Sequence, residues 1–471
     1  MPRTQCLTAR TICVLFCMAN VLSYTFRSLV PASPVELSAF IQRTLVIPPS
    51  RVSFYFGLLE SVFIITFSIS IVVFGYLSKT MRPFRLLAIG LILWVAAALL
   101  CGLAAPANNF YVLLLGRFLS GVGDSSIFAM ATPFIERHAS PDRKNLWMAL
   151  FYGAIPIGTS LSYFLGSLVT RTLGWQWTFY IVAGLMTPLA FLSLFCVPDD
   201  WNVPLASDST SSFVTDICTV LQSPVFLTSS LGGAAFAFTF ISCATFAPAI
   251  LIGAQTFPAA WSATIFGLCI LVSGVVGSIL GGLGLKHACS AKPDDDNHRL
   301  LMASRLQLVL VAMAIPFGLV SAWCLHAPIL FVGALSLGLV FTFATMNATT
   351  VTILLSVPPA LQGLAVGLFS NVVHWAGDVP APVVIGAIKD WYAPGCGSVM
   401  GADGVAQVDP ACFSTSNQFG LKMTLFWIMV WLAWAMLCWF ATWQCTRRQS
   451  LLTAKDATDY AQVHENGVPP V

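Results

Sequence analysis

An ionisable pair lies within an apolar stretch of the chain, GRFLSGVGDSSIFAMATPF at residues 116–134. Arg117 and Asp124 are seven residues apart, and seven helical steps of about 100° return to nearly the same face. Gly121 lies between them on that stripe and leaves it thin. Ionisable residues inside a membrane span mark functional sites by default. We therefore expect Asp124 to face a polar cavity, where it would hold a proton or a cation; the alternative is a structural Arg–Asp pair between helices.

A second polar stripe lies in the segment GLFSNVVHWAGDVPAPVVIGAIKDWY. Asn371, His374 and Asp378 follow one another at i, i+3 and i+7, which places them on one helical face. Pro380 and Pro382 come next and remove backbone donors, which predicts a broken or kinked helix. Broken backbone in a membrane is tolerated where it lines a cavity or is buried in protein. The stripe indicates a site with a titratable His and a carboxylate, although His374 could also be a helix-packing group.

Three further polar residues are candidates for the same cavity. Arg27 comes four residues before Pro31, and it would line the cavity or lie at the membrane interface. Glu60 is a candidate partner for Arg27. Asn347, in a Thr-rich segment, is a candidate for an inward-facing contact, whereas the Thr hydroxyls are expected to bond within their own helix.

The chain has 14 Cys, most of them in apolar segments where a free Cys behaves as a small hydrophobic residue. Cys396 and Cys412 differ because both fall in the longest loop between apolar segments, 393–420. We expect a disulfide between them if that face is oxidising, and two free thiols otherwise. The sequence has no CxxC motif or Cys/His cluster, so it predicts no metal site and no cofactor.

Pairs of glycines occur at a spacing that favours close helix packing. Gly277 and Gly281 form one pair, and Gly363 and Gly367 form the other. Small residues four apart let two helix backbones approach each other, so both pairs predict helix–helix contacts.

The elements that must position these residues are membrane helices. The chain of 471 residues is 57% hydrophobic and 9% charged, against about 25% charged residues in an average soluble domain. Its mean hydropathy is +0.84, and runs of about 20 apolar residues are long enough to cross roughly 30 Å of hydrocarbon. Strand-period alternation is absent. We therefore expect an all-α polytopic membrane protein.

The apolar runs predict twelve transmembrane helices. The predicted spans lie near 11–31, 53–77, 86–105, 110–135, 147–169, 177–197, 224–252, 262–285, 306–326, 328–356, 363–392 and 421–445.

Basic residues are distributed unevenly over the segments between the spans. With the N terminus inside, the inner segments carry fifteen of the 22 Lys and Arg residues and the outer segments carry four. The positive-inside rule makes this a clear orientation signal, and an even helix count then places both termini in the cytoplasm. The net charge of +3 therefore reflects orientation, and no nucleic-acid partner is expected.

The spans divide into two equal groups around a polar segment. We expect an N-terminal six-helix bundle, a cytoplasmic linker, a C-terminal six-helix bundle and a disordered cytoplasmic tail, at residues 1–197, 198–222, 223–446 and 447–471. Transporters built from two such halves bind substrate and coupling ions near the midplane, between the halves.

At these residues the sequence resembles the Spinster family of the major facilitator superfamily. LLLGRFLSGVGDSSIFAMATPF is similar to the family's fourth-helix pattern, roughly GRxLxGxGEAS, and FYGAIPIGTSLSYF is similar to its fifth. VVHWAGDVPAPVVIGAIKD is similar to its eleventh helix. The resemblance covers roughly residues 53–392. It implies the major facilitator fold and alternating-access transport of amphipathic lipids such as lysophospholipids or sphingoid phosphates, coupled to protons in at least some members.

The resemblance also assigns roles and marks two departures. The family's fourth-helix acid corresponds to Asp124 and its Arg to Arg117. The superfamily's gate loop, usually GxLxDRxxR, reads GYLSKTMRPFR here, with Lys79 in place of the Asp and with Arg82 and Arg85 following. The first helix lacks the Asp of the family's Asp–Arg pair. The gate would therefore be held differently, and both proton coupling and facilitated diffusion are open.

Other functions are weighed against lipid transport. A facilitator of small polar solutes or organic anions would have the same architecture, and a transport-dead receptor or scaffold would explain the altered gate loop. An enzyme is not expected, because HWAGD at 374–378 has no nucleophile or metal ligand beside it and no GxSxG, HExxH or GxxxxGK motif occurs. We expect a monomer in the endolysosomal or plasma membrane, with a lipid or small molecule as its ligand.

Overall fold

A computed structural model describes residues 7–78, 81–198, 201–202, 213–292, 295–401 and 406–465. Its α-helices are α1 (Ala9–Arg27), α2 (Leu29–Ala32), α3 (Pro34–Leu45), α4 (Val52–Leu77), α5 (Pro83–Ala107), α6 (Phe110–His138), α7 (Pro141–Thr172), α8 (Gln176–Phe195), α9 (Phe213–Gln222), α10 (Pro224–Gly253), α11 (Ala259–Ala288), α12 (Asp296–Trp323), α13 (Pro328–Leu355), α14 (Gln362–Val373), α15 (Pro380–Tyr392), α16 (Thr415–Val430) and α17 (Leu432–Glu465). Turns of 3-10 helix lie at Pro49–Arg51, Pro359–Leu361 and Pro410–Phe413, and a π-helical turn lies at His374–Asp378.

These helices confirm the all-α membrane architecture. Ten helical segments in the described part of the chain are long and apolar enough to cross a membrane. The other two predicted spans correspond to α7 and to the pair α14 and α15, which a break divides into two short helices. The predicted count of twelve is consistent with this arrangement.

Prolines begin several of the membrane helices. Pro83, Pro141, Pro224 and Pro328 each stand in the first turn of a helix, where the missing N–H has no helical partner to lose. The same residue type that breaks the eleventh predicted span therefore defines the start of four others.

The helices pack as two bundles. In the first bundle, α6 packs on α4 and α5, α5 packs on α8, and α1 packs on α7. In the second bundle, α13 packs on α11 and α12, and α17 packs on α10 and α12. The bundles meet through α4 against α15, α7 against α11, and α2 against α10.

The two ends of the molecule differ in how the bundles meet. We call the end that carries α3 and the bonded pair Cys396 and Cys412 the disulfide end, and the opposite end, which carries α9, the linker end. At the linker end, α14 packs mainly within its own bundle, on α10, α13 and α9. Space is open around Gly363 and Gly367, where an added Cβ would meet no atom within 4 Å. The predicted close packing at this pair is therefore wrong in this structure, because no helix among the described residues covers that face.

The other glycine pair packs as predicted. A Cβ at Gly277 would lie 2.8 Å from Phe343 Cβ, and one at Gly281 would meet the Ala344 carbonyl. Only residues without a side chain let α11 and α13 come this close.

A small hairpin covers the disulfide end. Strands β1 (Ser398–Met400) and β2 (Ala406–Val408) pair in antiparallel register, and a disulfide joins Cys396 to Cys412 around them. The disulfide is the pair that the sequence predicts. The hairpin packs on α3 of the first bundle, although it belongs to the second.

The tail differs from its prediction. We expect disorder from residue 447, but α17 continues to Glu465. The sequence from Arg447 to Glu465 contains no Pro or Gly and several good helix formers, so nothing in it ends the helix. Residues 466–471 lie outside the described part.

Candidate functional site

Arg117 and Glu60 form a buried ion pair between α6 and α4. Arg117 Nη2 lies 2.8 Å from Glu60 Oε1, and the two side chains are 0% and 2% exposed. Arg117 Nε also donates to Leu59 O at 3.3 Å, and its guanidinium lies 4.7 Å from the Phe63 ring centre. An unpaired charge at this depth would carry a large desolvation cost, so the pair fixes α6 on α4. Glu60 therefore pairs with Arg117, and not with Arg27 as the sequence suggested.

Asp124 binds to α1, a helix that Arg117 also contacts through its hydrogen bond to Arg27 O at 3.5 Å. Its carboxylate accepts a hydrogen bond from Ser23 Oγ of α1, and the residue is 1% exposed. A Cβ at Gly121 would collide with Thr66 of α4. The glycine between Arg117 and Asp124 is therefore the point where α4 packs closely on α6. Arg117 and Asp124 share a helix face as predicted, but no ion pair joins them within the described residues. Asp124 is shielded from solvent in this state and does not face an open cavity.

Arg27, the last residue of α1, is a buried cation. The residue is 8% exposed, and its guanidinium lies 5.6 Å from the Tyr24 ring centre and 5.5 Å from that of Phe63. Its side chain has no hydrogen bond and no ion pair to any described residue. Cation–π contacts stabilise a guanidinium only partly, so Arg27 retains donors for an additional ligand.

Three acids interact electrostatically with Arg27. Glu60 comes from α4, Asp124 from α6, and Asp378 from the π-helical turn of the second bundle. A cation that has no ion pair with any described residue is therefore within electrostatic reach of carboxylates from both bundles. The sequence alone suggested a role for each residue but did not show that Arg27 is their common neighbour.

The π-helical turn holds the second acid. His374 Nδ1 and Asp378 Oδ2 are 2.7 Å apart, and the two side chains are 17% and 11% exposed. Val379 N donates to His374 O at 2.9 Å, a five-residue step that replaces the usual four. Pro380 and Pro382 cannot donate to the carbonyls four residues before them, which explains why the helix widens here. The predicted break is thus a π-turn that aims a His–Asp pair at the bundle interface.

The first bundle contacts this turn directly. The Phe67 ring of α4 lies edge-on to the His374 ring at 5.5 Å between centres. Ser61 Oγ donates to Val379 O at 2.6 Å. The exposed backbone predicted beside the prolines is therefore bound by α4, and movement between the bundles would change the surroundings of the His–Asp pair.

Two predicted candidates have structural contacts instead. Asn371 Nδ2 donates to Gly367 O of its own helix at 3.0 Å. Asn347 Nδ2 donates to Ser278 O at 2.9 Å and so joins α13 to α11. Neither side chain has a hydrogen bond to Arg27 or to the acids around it among the described residues.

The altered gate loop is only partly described. Arg82 precedes the first turn of α5 and Arg85 lies within that turn, and both are exposed at the linker end. Lys79 lies outside the described residues.

Sequence reasoning missed the residues that connect α1 and α4 to the acids. Ser23, which holds Asp124, precedes Arg27 by four residues and therefore shares its helix face. That spacing of a hydroxyl and a cation in an apolar segment is a signal that could have been used. Phe67 had no such signal, because the chain has 35 Phe and most of them pack in the core or face lipid.

Comparisons with known proteins identify the family to which the chain belongs. The model of the Major Facilitator Superfamily matches residues 15–382. "Probable sphingolipid transporter spinster homolog 2" of Arabidopsis thaliana is 26% identical over 413 residues, which cover 82% of each chain. "Protein spinster homolog 1" of Rattus norvegicus is 30% identical over 407 residues, covering 80% of this chain and 72% of its own.

A solved structure shows the same fold. The crystal structure of a bacterial homologue of the human lysosomal transporter Spinster, inward-facing and unoccupied, matches with a TM-score of 0.73 at 16% identity. The match covers 93% of this chain and 98% of the bacterial one. The chain is therefore a multi-pass membrane transporter, not an enzyme, and it belongs to the Spinster family of the major facilitator superfamily.

Proposed function

We propose that this chain moves single-chain amphipathic lipids, of the lysophospholipid or sphingoid-phosphate type, by alternating access with proton coupling. The observation that carries the proposal is Arg27, a buried cation that has no ion pair with a described carboxylate and interacts electrostatically with acids of both bundles. A guanidinium with free donors is well suited to a phosphate oxygen. The lipid class is supported by relatives named as sphingolipid transporters.

A row of mostly buried aromatic rings extends from the cation. The Tyr24 ring, which faces Arg27, lies 6.2 Å from Phe128. Phe128 lies 5.6 Å from Phe67 and 5.3 Å from Phe151. A lipid headgroup bound at Arg27 would place its acyl chain along these rings, which offer a large apolar contact area.

Competition for Arg27 would couple protons to substrate. Glu60 is already committed to Arg117. Asp124 and Asp378, whose described partners are Ser23 and His374, are the acids that remain to respond to Arg27. An ionised acid attracts Arg27 and opposes the arrival of a phosphate, whereas a protonated acid does not. Proton binding and phosphate binding would therefore favour each other, as linkage requires.

The packing supports a state that is closed at the disulfide end and open at the linker end. Hydrogen bonds between α7 and the second bundle close the disulfide end. Tyr163 Oη donates to Ala244 O at 2.6 Å, and Ser160 Oγ donates to Gly267 O at 2.8 Å. At the linker end, Gly363 and Gly367 face space that is free of described atoms. With the distribution of basic residues, we place the linker end and both termini in the cytoplasm.

Proteoliposome uptake of a labelled lysolipid, with and without a pH gradient, tests the proposal. Asp124→Asn and Asp378→Asn are expected to lose stimulation by the gradient, because neither variant can exchange a proton. Arg27→Met is expected to reduce uptake about tenfold or more, because a charge-assisted contact to phosphate is lost.

Asp296→Asn is the matched control, since Asp296 is exposed in the first turn of α12 and, among the described residues, pairs with the exposed Arg299. Unchanged uptake in both acid variants, at either gradient, would rule out the coupling role. Competition by sugars or organic anions but not by lysolipids would favour the small-solute facilitator, and lipid binding without flux would favour the receptor.

A further inference from the structure

A carboxylate of the second bundle caps a helix of the first. Asp390 Oδ1 accepts from Ser53 N at 3.1 Å, and Asp390 Oδ2 accepts from Phe54 N at 2.9 Å. These are amides at the start of α4, whose own preceding residue, Arg51, provides no side-chain cap. The first amides of a helix have no helical acceptor and attract negative charge, so the carboxylate joins the bundles at a favourable position.

Lys389, the neighbour of Asp390, connects the start of α4 to the loop that follows α15. Lys389 Nζ donates to Ser53 Oγ at 2.8 Å and to Cys396 O at 3.2 Å. The residue is 5% exposed. Because its ammonium needs both acceptors at this depth, the position of Cys396 and the position of α4 depend on each other.

The disulfide fixes the loop to the second bundle. Cys396 is bonded to Cys412, and Gln418 Nε2 donates both to Cys412 O and to Gly253 O of α10, each at 2.8 Å. On the other side, a Cβ at Gly397 would lie 2.8 Å from Pro49 of the first bundle. The loop is thus held on one side by α10 and lies on the first bundle with the other.

We propose that these residues form a disulfide-dependent clamp that holds the transporter closed at the disulfide end. The clamp consists of Ser53, Lys389, Asp390, Cys396 and Cys412. Its closure favours the state open at the linker end, and opening the disulfide shifts the chain toward the opposite state. The inference rests on the alternating access of the proposed function, but it concerns the conformational equilibrium and needs no particular substrate.

The clamp depends on the disulfide because the disulfide limits the conformational freedom of the loop between Cys396 and Cys412. The cross-link joins residues 16 apart and restricts the conformations of the segment between them. A dithiol reductant on that face would transfer two electrons and two protons, which converts the disulfide to two thiols while the dithiol becomes a disulfide. The freed segment no longer holds the Cys396 carbonyl against Lys389, and Lys389 then holds α4 less firmly.

Hydrogen–deuterium exchange on the full-length chain in nanodiscs, without substrate, tests the clamp. Cys396→Ser/Cys412→Ser is expected to raise exchange of the Ser53 and Phe54 amides about tenfold, as for a lost helix cap. Peptides from α14 should become more protected as the linker end closes. Treating the wild-type chain with a dithiol should give the same pattern, and reoxidation should reverse it, which separates the effect from a folding defect.

Two further variants complete the design. Cys324→Ser removes a free thiol near the same end, outside the clamp, and should change nothing. Lys389→Met cuts the connection while keeping the disulfide, so reduction should add little to its effect. Equal exchange at Ser53 and Phe54 in the oxidised and reduced chain, with both states verified by mass, would overturn the clamp and leave lipid transport untouched.

Discussion

At the scale of single residues, burial decides which charges can serve a ligand. Arg117 and Glu60 neutralise each other at 0% and 2% exposure, so neither is available. Arg27 contacts the faces of two aromatic rings, and its side chain has no hydrogen bond or ion pair to a described residue. Two arginines that look alike in the sequence therefore have different roles: one fixes two helices, and the other is the candidate anchor for substrate.

Removing one member of the buried pair should destabilise the protein strongly. Glu60→Gln leaves Arg117 as a buried cation without its counter-ion, and such a loss costs about 3–5 kcal/mol in other proteins. We expect a clear drop in the thermal unfolding temperature measured in detergent by intrinsic fluorescence.

The double variant Glu60→Gln/Arg117→Met provides the comparison. It leaves no uncompensated charge, so it should recover part of the lost unfolding temperature. A double variant that is less stable than Glu60→Gln alone would show that the pair is not held together by charge.

At the scale of elements, the broken helix of α14 and α15 positions the His374–Asp378 pair. The widened turn contains one residue more than an α-helix would need, so its removal would rotate the side chains before it by about 100°. The orientation of His374 toward Phe67 depends on this extra residue.

Restoring backbone donors should therefore harm transport more than folding. Pro380→Ala/Pro382→Ala allows the regular four-residue bonds to form and rotates His374 away from α4. We expect uptake to fall by about tenfold or more while the unfolding temperature stays equal or rises. Pro316→Ala, at an exposed proline inside α12, is the control and should leave uptake unchanged. Normal uptake by the double variant would show that the π-turn does not position the site.

At the scale of the whole molecule, the surroundings of two glycines in the broken helix of α14 and α15 differ between the two ends. A Cβ at Gly386 of α15 would collide with the Ser53 carbonyl of α4, whereas one at Gly367 of α14 would meet no atom within 4 Å. The disulfide end therefore closes by direct backbone contact between bundles, and at the linker end Gly367 makes no such contact with the described part of the chain.

Larger side chains at these two glycines should stabilise opposite states of the transporter. Gly386→Val is expected to hold the disulfide end apart, and Gly367→Val is expected to fit this state but to obstruct closure of the linker end. Hydrogen–deuterium exchange should rise at the start of α4 in the first variant and stay at the wild-type level there in the second. Gly333→Val, which also meets open space, is the control in α13. The same pattern in Gly386→Val and Gly367→Val would exclude a rocking motion between these ends.

The sequence by itself determined the membrane class, the helices and the family, because apolar runs of about 20 residues and the prolines beside them act locally. It also indicated the stripe of Arg117 and Asp124 and the break after Asp378. Only the tertiary structure decided the pairing: Glu60 with Arg117, Ser23 with Asp124, and Arg27 with no carboxylate among the described residues. The spacing of residues fixes which helix face a side chain occupies, but which charges meet depends on helix packing. That packing brings together residues tens to hundreds of positions apart, such as Asp390 and Ser53.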